Sequence, residues 1–291
     1  MEKFSNWRDK GTGISPFYPV EVKVSAARKY VVNPVILALK WPFFVALYLF
    51  ASVAPKAATR IIFRSLFSIA DIDLLVEGVR KSNANETNAK KPSVGEVVVL
   101  NLVSPLDIFV IFLTSNVESL SSLVVVIPWK EDLYTFTAWE ALSVLFQPLD
   151  SSITQGARLG GDARDMMREK LVVVFAEGSA SNNKAILPLQ PPCAQLWQSG
   201  DPPVKVAVLR YYPNGLSLPV PHMTKAQYVS RLLTLPSKAF VKVKIVPLRA
   251  ASLKACQAAF VENGLCHVQL GVEEKLKFFE YFQDYSIKKE A

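Results

Sequence analysis

The sequence predicts an α/β fold: a mixed, largely parallel sheet flanked by helices, preceded by a hydrophobic helical segment that associates with a membrane. Three observations predict it. Short valine-rich runs recur from residue 72 to residue 246, and those at 97–100, 123–127 and 171–175 are apolar at every position, as in strands buried on both faces. Longer stretches with helical spacing of apolar residues lie between them. Residues 31–54, VVNPVILALKWPFFVALYLFASVA, carry a single charge, Lys40.

Residues 1–30 are polar and irregular and read as a cytosolic arm, not as a signal peptide. Residues 31–54 would span ~36 Å as a straight helix, enough to cross a bilayer. Pro34 and Pro42 are expected to break that helix, and a lysine at mid-membrane costs about 2.5–3.5 kcal/mol. Residues 41–54 alone would cover only ~21 Å. Lys23, Arg28 and Lys29 precede the segment and Lys56, Arg60 and Arg64 follow it, so the positive-inside rule selects no crossing direction. A hairpin or shallow insertion with both ends cytosolic accounts for this better. Residues 57–70 follow as an amphipathic stretch, with Ile61, Ile62, Leu66 and Phe67 on one side and Arg60 and Arg64 one turn apart. That is the composition of a helix lying among lipid headgroups. The competing reading is a buried core helix followed by a surface helix. The chain thus divides into the arm (1–30), a membrane hairpin or interfacial helices (31–70) and an α/β domain (71–291).

In the last part, strands are expected at 72–79, 96–101, 123–127, 171–175, 204–210 and 239–246. Residues 81–95 read as a polar loop. Helices are expected at 105–114, 130–145, 157–170, 225–235 and 252–264, with a terminal helix at 272–287 whose apolar side carries Leu276, Phe278, Phe279, Phe282 and Tyr285. No repeat or linker splits this part.

With 291 residues, half of them hydrophobic and a fifth charged, the chain can bury a sizeable core. A net charge of +8 favours an anionic partner: a phospholipid surface, a phosphorylated substrate, or nucleic acid. Nucleic acid fits worst, because there is no zinc-finger spacing, no aromatic-basic single-strand motif and no dense Lys/Arg tract. Three unpaired cysteines, Cys193, Cys256 and Cys266, fit a reducing compartment. Histidine is the usual general base near neutral pH, and there are only two, His222 and His267.

In α/β sheets, sites form where strand ends meet the following loops. Two loops qualify. The first, NLVSPLD, runs from Asn101 to Asp107. Ser104 suits a helix N-cap, Pro105 the first helical position, and Asp107 the third, where a carboxylate reaches back to the cap N–H. Capping alone accounts for these residues. The second, FAEGSASNNKAILPL, spans 175–189. Glu177 and Gly178 follow an apolar strand, and Ser179, Ser181, Asn182, Asn183 and Lys184 follow them, a polar cluster ending in lysine that suits an oxyanion or phosphate. A solvated turn is the plain alternative. Against it, a carboxylate so close to an apolar strand is partly buried and needs a partner.

Together the two loops resemble the PlsC-type glycerolipid acyltransferases, of the lysophosphatidic acid acyltransferase group. Residues 101–107 fall on the family's first block, Asn-His-x-Ser-x-x-Asp, and residues 175–189 on its third, Phe-Pro-Glu-Gly-Thr followed by small polar and basic residues. Residues 204–213, VKVAVLRYYP, resemble the fourth block, a strand ending near the acyl-donor site. Lys130 and Leu133 sit where the family often has Lys-x-x-Leu. The second block would fall near 146–150, FQPLD, and the start MEKFSNWRDKGTGISPF resembles that of a fungal member.

The resemblance implies an acyltransferase-like fold and transfer of a fatty acyl group from acyl-CoA to a lysophospholipid, lysophosphatidic acid above all. It implies phosphatidic acid as the product, in glycerolipid and triacylglycerol synthesis. Acyl-CoA would be a co-substrate, with no cofactor and no metal. The implied location is the endoplasmic reticulum membrane or the lipid droplet surface, with the catalytic domain cytosolic. It makes Asp107 and Ser104 the candidate catalytic residues, and Asn101, Glu177, Gly178, Ser179, Asn182, Lys184 and Arg210 the candidate substrate-binding ones.

The chain departs from the family where its base belongs: Leu102 occupies the histidine position and cannot accept a proton. Ala176, Ser179 and Ala180 replace the third block's proline, threonine and arginine. Three functions therefore compete. One is an acyltransferase that relies on substrate positioning, with Asp107 itself or one of the histidines as base. Another is a non-catalytic relative that binds lipid or a partner. The third is a serine hydrolase with Ser179 at a nucleophile elbow, which Glu177 and Ser181 disfavour by standing where small glycines are needed.

Overall fold

The computed structural model describes residues 2–20, 24–147, 153–160, 163–198, 202–220 and 223–290. Lys23, His222 and residues 148–150 of the expected second block lie outside the described residues. An eight-stranded sheet forms the body. Its strands are β1 (Ile69–Val76), β2 (Val97–Leu100), β3 (Leu123–Trp129), β4 (Asp132–Phe136), β5 (Ala157–Arg158), β6 (Leu171–Val174), β8 (Val204–Tyr212) and β9 (Ala239–Pro247), in the order β1-β9-β8-β2-β6-β3-β4-β5. The central strands β8, β2, β6 and β3 run parallel, with Val97 opposite both Val172 and Val204. β9 pairs antiparallel to β8, and β4 and β5 add antiparallel strands at the far edge. A separate two-stranded ladder joins β7 (Ala185–Ile186) to β10 (Cys266–His267).

The sheet is covered on both faces, which is why β2, β6 and β3 are apolar throughout. Successive residues alternate between two cores. Val98, Leu100, Val173, Leu209 and Tyr211 face one core. Val97, Val99, Val172, Val174, Val206 and Val208 face the other. The first core is closed by the π-turn Ile62–Leu66 that continues α2 (Pro55–Ile61), and by α4 (Asp107–Thr114), α5 (Ala138–Val144) and α8 (Lys225–Leu233). The second is closed by α6 (Ala163–Glu169), α7 (Ala194–Gln198) and α9 (Leu253–Glu262). The N-terminal arm docks on α10 (Val272–Glu290): Phe4, Trp7, Ile14 and Phe17 pack with Phe278, Phe279 and Phe282.

The structure differs from the sequence expectation at four places. The helix expected over 130–145 is a hairpin plus a short helix. Trp129 pairs with Asp132 across a two-residue turn in which Lys130 has φ +54°, and α5 begins only after Thr137. The signal was present, since Thr137 and Glu140 form a capping box. The polar loop at 81–95 contains a short helix, α3 (Ala84–Ala89), whose first turn is capped by Asn83. Residues 157–170 hold β5 as well as α6.

The fourth difference concerns the apolar segment. Helix α1 (Asn33–Phe50) runs unbroken through Pro42, continuing a π-turn at Arg28–Val32. Leu37, Trp41, Phe44 and Leu47 pack on the body, and these contacts offset the hydrogen bond that proline forfeits. Val31, Val35, Leu39, Phe43 and Leu49 stay exposed on the other side. Lys40 does not enter the apolar exterior. Its Nζ donates to Leu66 O (2.7 Å) and Leu233 O (3.0 Å), fastening the helix to the body at mid-length. Most of the apolar side of the stretch at 57–70 turns inward: Ile62, Leu66 and Phe67, together with Phe63, are buried in the core and cover the sheet, while Ile61 stays exposed.

Lys40→Ala leaves two carbonyls without that donor and is expected to destabilise the protein by about 1.5–3 kcal/mol in chemical denaturation. An unchanged midpoint would mean that side-chain packing alone holds α1.

Candidate active site

β2 and β6 are parallel neighbours, so the loops that leave their carboxyl ends emerge side by side. Asn101 continues the ladder toward β8: its Nδ2 donates to Leu209 O (3.0 Å), and Leu209 N–H donates to its Oδ1 (2.8 Å). The next residues turn into α4. Asp107 Oδ2 accepts from Val103 N–H (2.7 Å) and Ser104 N–H (3.0 Å), while Ser104 Oγ accepts from Leu106 N–H (3.2 Å). The sequence S-P-L-D suggests a capping box with Ser104 at the N-cap; instead these bonds close a turn, and α4 itself begins at Asp107, with Leu106 at its N-cap and no side-chain cap.

The second loop is locked to the first by Glu177. Its Oε1 accepts from Leu102 N–H and its Oε2 from Leu187 N–H, both at 2.7 Å. Ser181 N–H donates back to Leu102 O (2.9 Å). Three successive amides, those of Leu102, Val103 and Ser104, thus end on two carboxylates. Gly178 makes the turn at φ +70°, with its N–H on Phe175 O at 2.8 Å. A methyl group there would stand 3.1 Å from Pro128 O.

Two tyrosines and a lysine complete the cluster. Tyr211 O–H donates to Asp107 Oδ1. Tyr228 O–H donates to Leu216 O (2.9 Å), which leaves the Ser104 hydroxyl to donate to Tyr228 (2.8 Å). Lys275 Nζ donates to Ser179 Oγ and to Ala180 O, the latter at 2.6 Å. Asn101, Ser104, Asp107, Glu177, Ser179 and Ser181 are all fully buried.

Burial dominates the electrostatics. It pushes Asp107 up to about 7, against the opposing effect of the Tyr211, Val103 and Ser104 donors. It pushes Glu177 up to about 8 and Lys275 down to about 7, while the attraction between the two works the other way. Tyr211 is held well above the usual phenol range, first by burial and then by the Asp107 charge. Asp107 can therefore exchange a proton near neutral pH, and Tyr211 keeps its own.

The predicted residues do not all meet here. Asn101, Ser104, Asp107, Glu177, Gly178 and Ser179 do. Asn182 instead holds the arm, donating to Ser15 O (2.7 Å) and Tyr18 O (3.1 Å). Lys184 is exposed. Arg210 lies on the opposite face of β8 from Tyr211 and donates to Asn263 O (3.0 Å) beyond the end of α9. Leu102 has its side chain in the first core, fully buried. His267 pairs with Ile186 in the small ladder. Among the described residues no group of three His, Cys, Asp or Glu side chains could hold a metal ion.

Sequence reading passed over Tyr211, Tyr228 and Lys275. Lys275 had a signal: it lies three, four and seven residues before Phe278, Phe279 and Phe282, on the helix face that packs inward. Tyr211 had another, since alternation aims it opposite to Arg210.

No family model matches the chain. Over 315 aligned positions, covering 99% of this chain and 100% of the relative, it is 24% identical to "Lysophosphatidic acid:oleoyl-CoA acyltransferase 1" of Saccharomyces cerevisiae. Over 304 positions, 96% of this chain and 98% of the relative, it is 25% identical to a Schizosaccharomyces pombe protein named for the same activity. These likenesses support a glycerolipid acyltransferase family. Among solved structures, the 1-acyl-sn-glycerophosphate (LPA) acyltransferase PlsC of Thermotoga maritima aligns at 15% identity and a TM-score of 0.38, covering 81% of this chain and 95% of that one. In the first block of this acyltransferase-like chain, the histidine position is part of the packed core.

Two measurements check this geometry. Gly178→Ala must adopt a left-handed backbone against Pro128 O, and is expected to lose about 1–2 kcal/mol of stability. Asp107 holds its proton in the folded chain up to about pH 7, whereas the unfolded chain releases it near 3.8. Its contribution therefore falls as pH rises between those values and is level outside them, with an upper bound of ~4 kcal/mol. Denaturation midpoints of Asp107→Asn should accordingly decline less between pH 4 and 7 than those of the parent; identical slopes would place the titration elsewhere.

Proposed function

We propose that this protein transfers a fatty acyl group from acyl-CoA to lysophosphatidic acid, giving phosphatidic acid for glycerolipid and triacylglycerol synthesis. Full-length likeness to proteins named for that activity supports the reading. The observation that carries it is the Asp107 carboxylate, pushed to about 7 by burial and fixed beside Glu177 through adjacent backbone amides. In this scheme Asp107 is the base in place of the missing histidine. The acceptor O–H gives its proton to Asp107, and the oxygen bonds to the thioester carbonyl carbon. The C–S bond then breaks and the CoA thiolate takes the proton back. Glu177 sets the spacing of the two loops, and Ser179 with Lys275 supplies polar groups for the acceptor's phosphate.

The acceptor needs a way in, because Asp107 is sealed. Tyr228, packed edge-on against Phe146 at 5.4 Å, closes over Ser104 and is the side chain whose movement would admit it. The same proposal sets the chain on the endoplasmic reticulum membrane or the lipid droplet surface, with its α/β body in the cytosol. The exposed apolar side of α1 and the basic residues Arg28, Lys29, Lys56 and Arg60 around it support a surface-bound attachment.

A second reading, a non-catalytic relative that binds lipid, is favoured by one observation: Leu102 is buried and the carboxylates already accept hydrogen bonds from the protein. Purified protein with lysophosphatidic acid and oleoyl-CoA separates the two. The first reading expects phosphatidic acid to form, and expects Asp107→Asn to slow it by about 10²–10⁴-fold, the range a positioned base supplies. No product above a protein-free control would select the second reading; undiminished turnover in the variant would remove Asp107 as base.

A further inference from the structure

Acyl transfer from a thioester puts negative charge on the carbonyl oxygen before the C–S bond breaks, and an enzyme meets that charge with hydrogen-bond donors. Backbone N–H groups beside the base are the usual source, and here they are spent. Leu102 N–H donates to Glu177 Oε1, and those of Val103 and Ser104 donate to Asp107 Oδ2. Leu106 N–H donates to Ser104 Oγ, Asp107 N–H donates to Ser104 O (3.0 Å), and Pro105 has no N–H. In the second loop, Gly178 N–H donates to Phe175 O, and Lys275 Nζ donates to Ser179 Oγ and Ala180 O. The two oxygens of Asp107 are filled unequally. Each carboxylate oxygen has two lone pairs. Oδ2 accepts two amides, whereas among the described residues Oδ1 accepts from Tyr211 alone. An acceptor hydroxyl can therefore reach this base only at Oδ1, which sets it beside the Tyr211 phenol. Tyr211 is fixed in all but its proton: its ring is fully buried at the end of β8, and its carbonyl accepts from Asn183 Nδ2 at 2.8 Å. Rotation about the C–O bond re-aims the hydroxyl without moving the ring.

We propose that Tyr211 is the oxyanion donor of this site: its O–H leaves Asp107 Oδ1 as that oxygen takes the acceptor's proton, and donates to the thioester's carbonyl oxygen. The inference rests on the reading of Asp107 as the base. An ionised carboxylate is a stronger hydrogen-bond acceptor than a carboxylic acid, so protonation of Oδ1 releases the phenol at the step in which the new charge forms. Electrons and protons balance. The acceptor oxygen bonds to the carbonyl carbon, and the C=O π pair moves onto the carbonyl oxygen, facing Tyr211. When the C=O bond re-forms, the C–S pair leaves with sulfur, Asp107 returns its proton to the thiolate, and the phenol goes back to Oδ1. Tyr211 stays protonated throughout, as its burial and the neighbouring Asp107 charge require.

Tyr211→Phe removes the hydroxyl and keeps the ring. With oleoyl-CoA and lysophosphatidic acid, its kcat is expected to fall about 10²–10³-fold, the effect of deleting one oxyanion donor, with KM for either substrate unchanged within about threefold. The pH profile separates this role from one of merely holding Asp107. Loss of the donor also raises the Asp107 pKa and moves the rising limb of the profile to higher pH. A holding role would leave the variant equal to the parent on the alkaline plateau, whereas an oxyanion donor leaves the deficit there. Parent-like turnover, or recovery on that plateau, would overturn the assignment and leave acyl transfer intact. Absence of product from the parent would remove the reaction itself, and this role with it. The switch is also read without turnover, by NMR of the full-length protein in neutral detergent with tyrosine isotopically labelled at Cζ. The resonance missing from Tyr211→Phe is expected to shift as Asp107 titrates and to stay in place in Asp107→Asn, although Glu177 and Lys275 still titrate in that range. A Tyr211 resonance indifferent to pH, or one that moves equally in Asp107→Asn, would overturn the proposal.

Discussion

Everything around the candidate site depends on where the Glu177 carboxylate is held. It is fully buried, and each of its oxygens accepts a backbone N–H from a different segment, Leu102 and Leu187. Without it, two buried amides would lose their partners, and Lys275 would be left as a buried cation with no opposing charge. Such a loss costs far more than the pair itself contributes. One side chain thereby joins the turn after β2 to the segment following β7, while Lys275 of the C-terminal helix bonds the same loop at Ser179 and Ala180. The arm follows, because Phe4, Trp7 and Phe17 pack on the same helix.

The proton chemistry follows from that closure. Excluding water brings Asp107 and Lys275 to about 7 and Glu177 to about 8, so three neighbouring groups titrate within roughly one unit of neutrality. The same closure removes solvent from the residues that would meet a substrate. A base buried this deeply is tuned but covered. Lys40 has the corresponding role at the surface. By bonding two carbonyls of the body, it holds α1, a helix long and apolar enough to cross a bilayer, to the protein with its apolar side outward.

Much of the fold was legible because buried strands have a plain signature. The runs VVVL, LVVV and VKVAVLRYY announce strands covered on both faces, and they stand where expected. The hairpin after β3 was missed because DLYTF alternates weakly and sits against a good helix start, so helical spacing ran through it. The inward turn of residues 57–70 was missed for a different reason. An amphipathic stretch shows that it has an apolar side, but lipid and a protein core attract that side equally.

The sequence by itself determined that the chain would build an α/β body, that the Asp107 carboxylate would reach back to the Ser104 N–H in the turn after β2, and that Glu177 would be buried beside its strand. These are local matters, settled by spacing, capping chemistry and the cost of an unpaired carboxylate next to valines. Only the tertiary structure decided the partners. It chose Tyr211 over Arg210, because the pleat sends neighbours to opposite faces and only one face meets Asp107. It chose Lys275 over Lys184, because the terminal helix brings a buried cation to Ser179 while the loop's own lysine points to solvent. Partners far apart in the chain are selected by packing, and no pattern within a single segment records which face another segment will present.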